Sequence, residues 1–139
     1  MGAPRIDPVP DRDSAHYWAA LAQGRLELPH CRNCGHWTWP ARPICSWCQG
    51  ENLVWEPVEG TGEVHSWIVT HQPYGPAFVD KVPFTVVLVR LDEQRDILIP
   101  GPLESDVNVT QGLRVRVAPE RVSDTVGVIT WKTDTQDNG

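Results

Sequence analysis

The sequence holds no block of basic residues and no long apolar run. Its twelve Lys and Arg are scattered singly from Arg5 to Lys132 against eighteen Asp and Glu, for a net charge of −6. Nothing therefore tracks a phosphate backbone, which argues against nucleic acid as a partner. The longest apolar run is Tyr17–Ala22, and others such as Val86–Val89 and Ile97–Ile99 are shorter still, so no membrane span is expected. Met1–Asp7 lacks an extended apolar stretch, so no signal peptide is expected and the expected location is the cytoplasm. Apolar residues at 40% and charged residues at 22% exclude wholesale disorder. Thirteen prolines and eleven glycines in 139 residues exclude a helical bundle and favour short elements joined by turns. The length suits one domain, or one domain plus a small metal-held module.

Catalytic signatures are also missing. Ser14, Ser46, Ser66, Ser105 and Ser123 lack a G-x-S-x-G elbow. No H-x-E accompanies the cysteines, which removes a zinc deaminase. What is present is a compact cysteine set: Cys31, Cys34, Cys45 and Cys48, or C-x2-C, ten residues, C-x2-C. Cytosolic thiols stay reduced, so these read as metal ligands rather than disulfides. Four thiolates around one Zn²⁺ close a tetrahedral sphere and leave no position for water, so one structural zinc per chain is expected. Iron in a rubredoxin-type site is the redox alternative. Gly35 follows Cys34 where a positive φ turns N–H groups towards sulfur. Gly50 stands one place later behind Gln49, so the second knuckle is expected to be less regular. His30 and His36 flank the first pair as spare ligands, but beside four cysteines they read as surface residues.

Around this set the chain changes period. Residues 11–24 carry a helical pattern, with Ala15, Trp18, Ala19 and Ala22 on one face, Asp13 or Ser14 to cap it and Gly24 to end it. The ribbon spans residues 25–59 and holds Trp37, Trp39, Trp47 and Trp55. These rings read first as shields for a module with little core, and second as a docking surface. Residues 60–133 alternate with period two. Gly62–Gln72, Pro83–Leu91, Arg95–Gly101, Leu113–Pro119 and Val126–Lys132 are five candidate strands separated by turns. Five short strands suggest a small barrel of the OB type, with an SH3-like barrel left open. Residues 134–139 read as a flexible tail.

The combination resembles a known family. Tyr17-Trp18 with Ala20-Leu21, His30-Cys-Arg-Asn-Cys-Gly35, Pro43-Ile-Cys-Ser-Trp-Cys48, Gly62-Glu-Val-His-Ser-Trp-Ile-Val-Thr-His71 and the strand ending Val-Arg-Leu-Asp92 together look like the DUF35 family. That resemblance implies a mostly β chain: an N-terminal helix, a rubredoxin-like zinc ribbon and a five-stranded OB-fold. It further implies a non-catalytic subunit of a thiolase-fold enzyme in a hetero-oligomer. Such enzymes include thiolases and the retro-aldolases of steroid side chains, and a CoA thioester would be the substrate of the complex. The subunit would stabilise its partner, form part of an acyl-CoA lyase or acyltransferase complex and help shape the CoA or acyl channel.

The residues offered for that channel are Tyr74, Phe78 and Lys81, on the long connection Gln72–Val82, with Lys81 placed to meet a CoA phosphate. His65 and His71, six apart on one strand, share a face under strict alternation. They read as a polar barrel rim, or as a general base reaching the partner's active site. The rival from another class is a single-strand nucleic-acid binder using the tryptophans as stacking platforms, with Arg114 and Arg116 as the one close basic pair.

Overall fold

The computed structural model describes residues 10–71, 84–104 and 107–134. The described residues form one helix, α1 (Ala15–Ala22), and seven strands: β1 (Leu26–Cys31), β2 (Leu53–Val58), β3 (Thr61–Thr70), β4 (Phe84–Leu91), β5 (Leu98–Pro102), β6 (Arg114–Arg121) and β7 (Gly127–Thr133). The chain is mostly β, as its composition and period indicate. It divides into two compact units, one of residues 10–59 with 119–128 and one of residues 60–118 with 129–134.

In the first unit, α1 starts at Ala15, four residues later than the periodic pattern. Asp11 and Ser14 explain the delay, because they occupy each other in a turn. The Ser14 hydroxyl and N–H each donate to Asp11 Oδ1 at 2.8 Å, and the Asp11 N–H donates back to Ser14 Oγ at 3.2 Å. The Ser14 hydroxyl, with its N–H, holds the Asp11 carboxyl below its ordinary range. The helix ends where Gly24 predicts. Gly24 takes φ +84°, its N–H donates to the Leu21 carbonyl at 3.0 Å and the Arg25 N–H to Ala20 at 2.9 Å. These two bonds make a complete Schellman cap.

The helix docks on its own chain. Tyr17, Ala20, Leu21 and Ala22 are buried, and burial, partly opposed by a hydrogen bond with Trp39, holds the Tyr17 phenol above its usual range. His16 pins the exposed side. Its Nε2 lies 2.6 Å from Glu27 Oε1 on β1, and its ring stacks on Trp55 of β2 at 4.4 Å and 16°. Strands β1 and β2 pair antiparallel from Leu26↔Val58 to Cys31↔Leu53, so the hairpin delivers Cys31 at the end of β1. Residues 119–128, inside the stretch read as barrel, group with the helix and ribbon. Gly127 shows why: a Cβ there would lie 2.3 Å from the Leu21 carbonyl carbon. Only a bare backbone approaches that closely.

The second unit is a five-stranded sheet in the order β5-β4-β3-β6-β7. Its outer strands meet at one parallel bridge, Leu103↔Trp131, where the Glu104 N–H donates to the Trp131 carbonyl at 2.9 Å. A β3-β4-β5 meander whose last strand meets β7 in parallel is an OB-like arrangement. On β4, Val87, Val89 and Leu91 point inward with period two, and with Val64, Ile97, Ile99, Val115 and Trp131 they are almost wholly buried. Each such side chain stabilises the fold by about 1.5–3 kcal/mol. Gly101 leaves the slot for the Trp131 ring, whose Cδ1 and Nε1 sit 2.9 Å from where a Cβ would be.

Five strands were expected here and five are present, with shifted ends. Strand β5 begins at Leu98 rather than Arg95, because the Ile97 N–H turns back to the Gln94 carbonyl. Strand β6 runs on to Arg121. No helix among the described residues is long and apolar enough to cross a membrane. The expected tail lies outside the described residues from 135 onward.

Candidate functional site

Two loops present the cysteines in the same way. In the first, the Cys31 N–H donates to the His36 carbonyl at 2.9 Å and the Gly35 N–H to the Cys31 carbonyl at 3.0 Å. In the second, the Cys45 N–H donates to Gly50 at 2.9 Å and the Gln49 N–H to Cys45 at 3.0 Å. Backbone N–H groups also turn towards sulfur, Cys34 to Cys31 Sγ at 3.5 Å and Trp47 to Cys45 Sγ at 3.3 Å. The second knuckle is thus as regular as the first, which corrects the sequence expectation. Gln49 itself adopts φ +63°, the counterpart of Gly35 at φ +83°.

A left-handed conformation strains a residue bearing a Cβ by about 1–2 kcal/mol. Gln49→Gly is therefore expected to raise the unfolding free energy of the zinc-loaded protein by about 1 kcal/mol. A urea titration reads this as a higher midpoint. A lower midpoint would assign the Gln49 side chain a structural role of its own.

The four sulfurs all lie within 4.8 Å of one another. Cys31–Cys48 and Cys34–Cys45 are each 3.6 Å apart. A tetrahedron with metal–sulfur bonds of about 2.3 Å has edges of about 3.8 Å, whereas a disulfide needs about 2.05 Å. The thiols do not ionise alike by themselves. The Cys48 N–H, outweighing desolvation with help from Trp47, brings Cys45 down to about 6. Cys31 is likewise lowered, chiefly by the Cys34 N–H. Cys34 receives the His36 N–H, yet desolvation and the neighbouring sulfurs push it up to about 12. Crowded thiolates repel, and a divalent cation removes that conflict. The donor set fits zinc held by Cys31, Cys34, Cys45 and Cys48, where the ion supplies a cross-link with no open coordination position.

His30 and His36 offer no nitrogen to the metal set. Each lies flat on a tryptophan, His30 on Trp37 at 4.1 Å and 9°, and His36 on Trp47 at 4.0 Å and 11°. They are half-buried rather than surface residues. His30 Nδ1 lies 3.1 Å from Glu56 Oε1, and its Nε2 lies 3.1 Å from the Gly35 carbonyl. Stacking on histidine thus engages three of the four ribbon indoles, while Trp47 stays 52% exposed.

Of the channel candidates, Tyr74, Phe78 and Lys81 lie outside the described residues. His65 and His71 lie on and just beyond β3. The register of β3 on β4 shifts between Val64 and Ser66. His65 is therefore the extra residue of a bulge, which breaks the alternation on which a shared face with His71 rested. Its ring accepts from an Arg90 terminal nitrogen at 3.0 Å. His65, Ser66, Trp67 and Gln111 line an open cavity of about 280 Å³. Beyond the bulge Trp67, Ile68 and Val69 are all exposed. Sequence reading did not find Arg90, Gln111, His16 or Gln49, because their partners are distant in the chain or their role is a backbone conformation.

Comparison with known proteins follows the same division. Residues 18–54 match the family described as "ChsH2, rubredoxin-like zinc ribbon domain", and residues 55–119 match "ChsH2, C-terminal OB-fold domain". A "Probable enoyl-CoA hydratase alpha subunit" from Thermomonospora curvata is 40% identical over 91 residues, 64% of this chain and 27% of that protein. The chain thus spans about a quarter of that relative's length. A "DUF35 domain-containing scaffold protein" from Pyrococcus furiosus is 27% identical over 109 residues, 78% of this chain and 79% of that one. Among solved structures, "Ltp2-ChsH2(DUF35) aldolase" superposes with a TM-score of 0.79 at 27% identity, covering 91% of this chain and 98% of that one. A DUF35-family protein of unknown function from Sulfolobus solfataricus gives a TM-score of 0.62 at 17% identity, over 88% and 86% of the two chains. That last likeness speaks to fold alone.

Proposed function

The chain belongs to the DUF35 family, and on that premise we propose that it is a non-catalytic subunit of a thiolase-superfamily enzyme acting on an acyl-CoA in the cytoplasm. The supporting observation is the likeness to ChsH2 of the Ltp2–ChsH2 aldolase, which extends over 98% of that chain. The scaffold name of the Pyrococcus relative points the same way. Chemistry within the chain agrees. All four cysteines of the sequence stand in the metal set, so no thiol is left as a nucleophile. The metal's donors are all protein sulfurs, which leaves no position at which a substrate oxygen is polarised.

The ribbon's role in this reading is to hold a docking element rigid, and the second unit helps form the CoA or acyl channel. Tyr74, Phe78, Lys81, His65 and His71 are the proposed channel residues. The nucleic-acid alternative has little support. The close basic pair is engaged by carboxylates, Arg114 with Asp92 at 2.5 Å and Arg116 with Asp134 at 3.3 Å, which removes the free cations a phosphate track requires.

The test is co-expression with a thiolase-fold enzyme from the same genome, followed by size exclusion and an acyl-CoA turnover assay. A stoichiometric complex, with turnover only when both chains are present, is the expected result. Tyr74→Ala with Phe78→Ala is expected to lower turnover at least tenfold, as loss of buried aromatic anchors does. Unaided turnover of a thioester by this chain would falsify the proposal.

A further inference from the structure

We propose that the open edge of β3 beyond its bulge is a self-pairing surface, where a second copy of this chain adds antiparallel about a twofold axis at Ile68. Strand β6 leaves β3 early, pairing with it only over Thr61–Glu63. The last backbone ties on that side join the Val64 N–H to the Leu113 carbonyl at 2.9 Å and the Gly112 N–H to the Val64 carbonyl at 2.8 Å. The Gln111 side chain then reaches the His65 carbonyl at 3.5 Å. From Ser66 to Thr70, β3 pairs with β4 alone among the described residues. Strand β5 fixes which groups are left over. The Leu103 N–H donates to the Thr85 carbonyl at 2.9 Å, across the pair Val86↔Pro102. Thr85 and Val87 therefore turn their N–H and C=O groups to β5, and Val86 and Leu88 turn theirs to β3. Ser66 opposite Leu88 and Ile68 opposite Val86 bond inside the sheet, so Trp67 and Val69 present theirs at the open edge. The bulge sets this phase: without the extra residue, Ser66 and Ile68 would face outward instead.

A second copy fits this edge by symmetry and by charge. Two outward residues flanking Ile68 map onto each other under a twofold axis, so each Trp67 faces the other copy's Val69. The four outward N–H groups then meet the four outward carbonyls. Trp67 and Val69 of both copies gather on one side of the joined sheet, an aromatic and β-branched pairing that strands favour. The two Ile68 side chains, each 64% exposed in the single chain, meet on the other side. Residues 66–71 hold no Asp, Glu, Lys or Arg, so two chains of net charge −6 come together where neither presents a charge. No Lys or Pro guards this stretch, as exposed edges ordinarily require. A charged segment of another protein would find no counter-ion along it. Five residues span about 17 Å, which places the contact among small, reversible interfaces.

The intact zinc-loaded chain is followed by sedimentation velocity from about 5 μM to about 500 μM. Its mass is expected to rise from 15.6 kDa towards twice that value, and at lower concentration once salt screens the like net charges. Val69→Lys is expected to weaken the dimer at least about tenfold by setting a charge in the new ladder. Val69→Pro is expected to do the same by deleting an outward N–H that β4 does not use. Urea midpoints establish that both variants fold, and the lysine variant carries the test if proline disturbs β3. Ile68 stands on the axis at a non-hydrogen-bonded pair, where Cα atoms lie about 4.5 Å apart, within disulfide reach. Ile68→Cys with glutathione disulfide is therefore expected to give a covalent dimer, and Val54→Cys, exposed on β2, is not. A monomer throughout, a dimer indifferent to the Val69 variants, or equal cross-linking at positions 68 and 54 would each overturn the proposal. So would β3 amides that gain exchange protection only when a thiolase-fold enzyme is added, since the edge would then belong to that enzyme.

Discussion

Cys45→Ser is expected to release the metal and unfold the helix–ribbon unit. Cys45 is 1% exposed, and so is Cys31, so the change removes a buried ligand from a set that, among the described residues, holds only the four cysteines. A serine hydroxyl does not ionise near neutrality, whereas the Cys48 N–H brings the Cys45 thiol well below its ordinary value. Structural zinc supplies about 10–16 kcal/mol in small modules at neutral pH. Whole domains are stable by only about 5–15 kcal/mol, so its loss exceeds what the remaining core of Leu26, Leu28 and the α1 face can offset. The readouts are metal content by plasma mass spectrometry and amide exchange at β1 and β2. Zinc near one per chain in the wild type, falling below about a tenth in the variant with loss of exchange protection, is the expected pattern. Retained protection in the metal-free variant would show the ion to be dispensable. A coloured wild-type protein carrying iron would instead select the redox alternative.

Gly127→Val carries the second large effect. The added Cβ would meet backbone rather than the tip of a flexible side chain: Leu21 carbonyl carbon at 2.3 Å and Ala22 nitrogen at 2.4 Å. The helix has little freedom to retreat, because its C-terminus is closed by the Gly24 cap and His16 is fixed to Glu27 and Trp55. Overpacking against movable side chains destabilises by about 1–3 kcal/mol. Against a pinned backbone the expected loss is at least about 3 kcal/mol, seen as a lower urea midpoint with unchanged slope. Gly24→Ala is the matched comparison. Nothing lies within 4 Å of a Cβ there, but φ is +84°, so only the left-handed strain of about 1–2 kcal/mol applies. Equal losses for the two variants would mean that the close approach at Gly127 is relieved at little cost.

The sequence discloses most where chemistry is local. Cysteine spacing places the metal set, Gly24 marks the helix end, and Gly112 marks the turn before β6, whereas Gly101-Pro102, which reads as a turn, lies within β5 and pairs with β4. It discloses least where geometry depends on a distant partner. Nothing local marks His65 as a bulge, since no glycine stands there; the shift falls just beyond the stretch Thr61–Glu63 that pairs with β6, while β3 continues along β4 to Thr70. Arg90 meets His65 from 25 residues away, across an antiparallel pair. Gln49 hides for another reason. Its left-handed backbone is imposed by the knuckle, and side-chain identity advertises such a conformation only when the residue is glycine. The histidines flanking the first knuckle illustrate the same limit, for their indole partners sit on other turns of the ribbon.

The placement of the indoles gives each unit a separate optical reporter. Trp131, 0% exposed among the sheet's aliphatic side chains, should emit at the blue edge of the spectrum and resist collisional quenchers such as iodide. Trp47, 52% exposed on the second knuckle, should emit to the red and be quenched first. In a chain whose five other tryptophans are replaced by phenylalanine, heating or chelation that dims one colour before the other would therefore reveal whether metal loss propagates from the ribbon into the sheet.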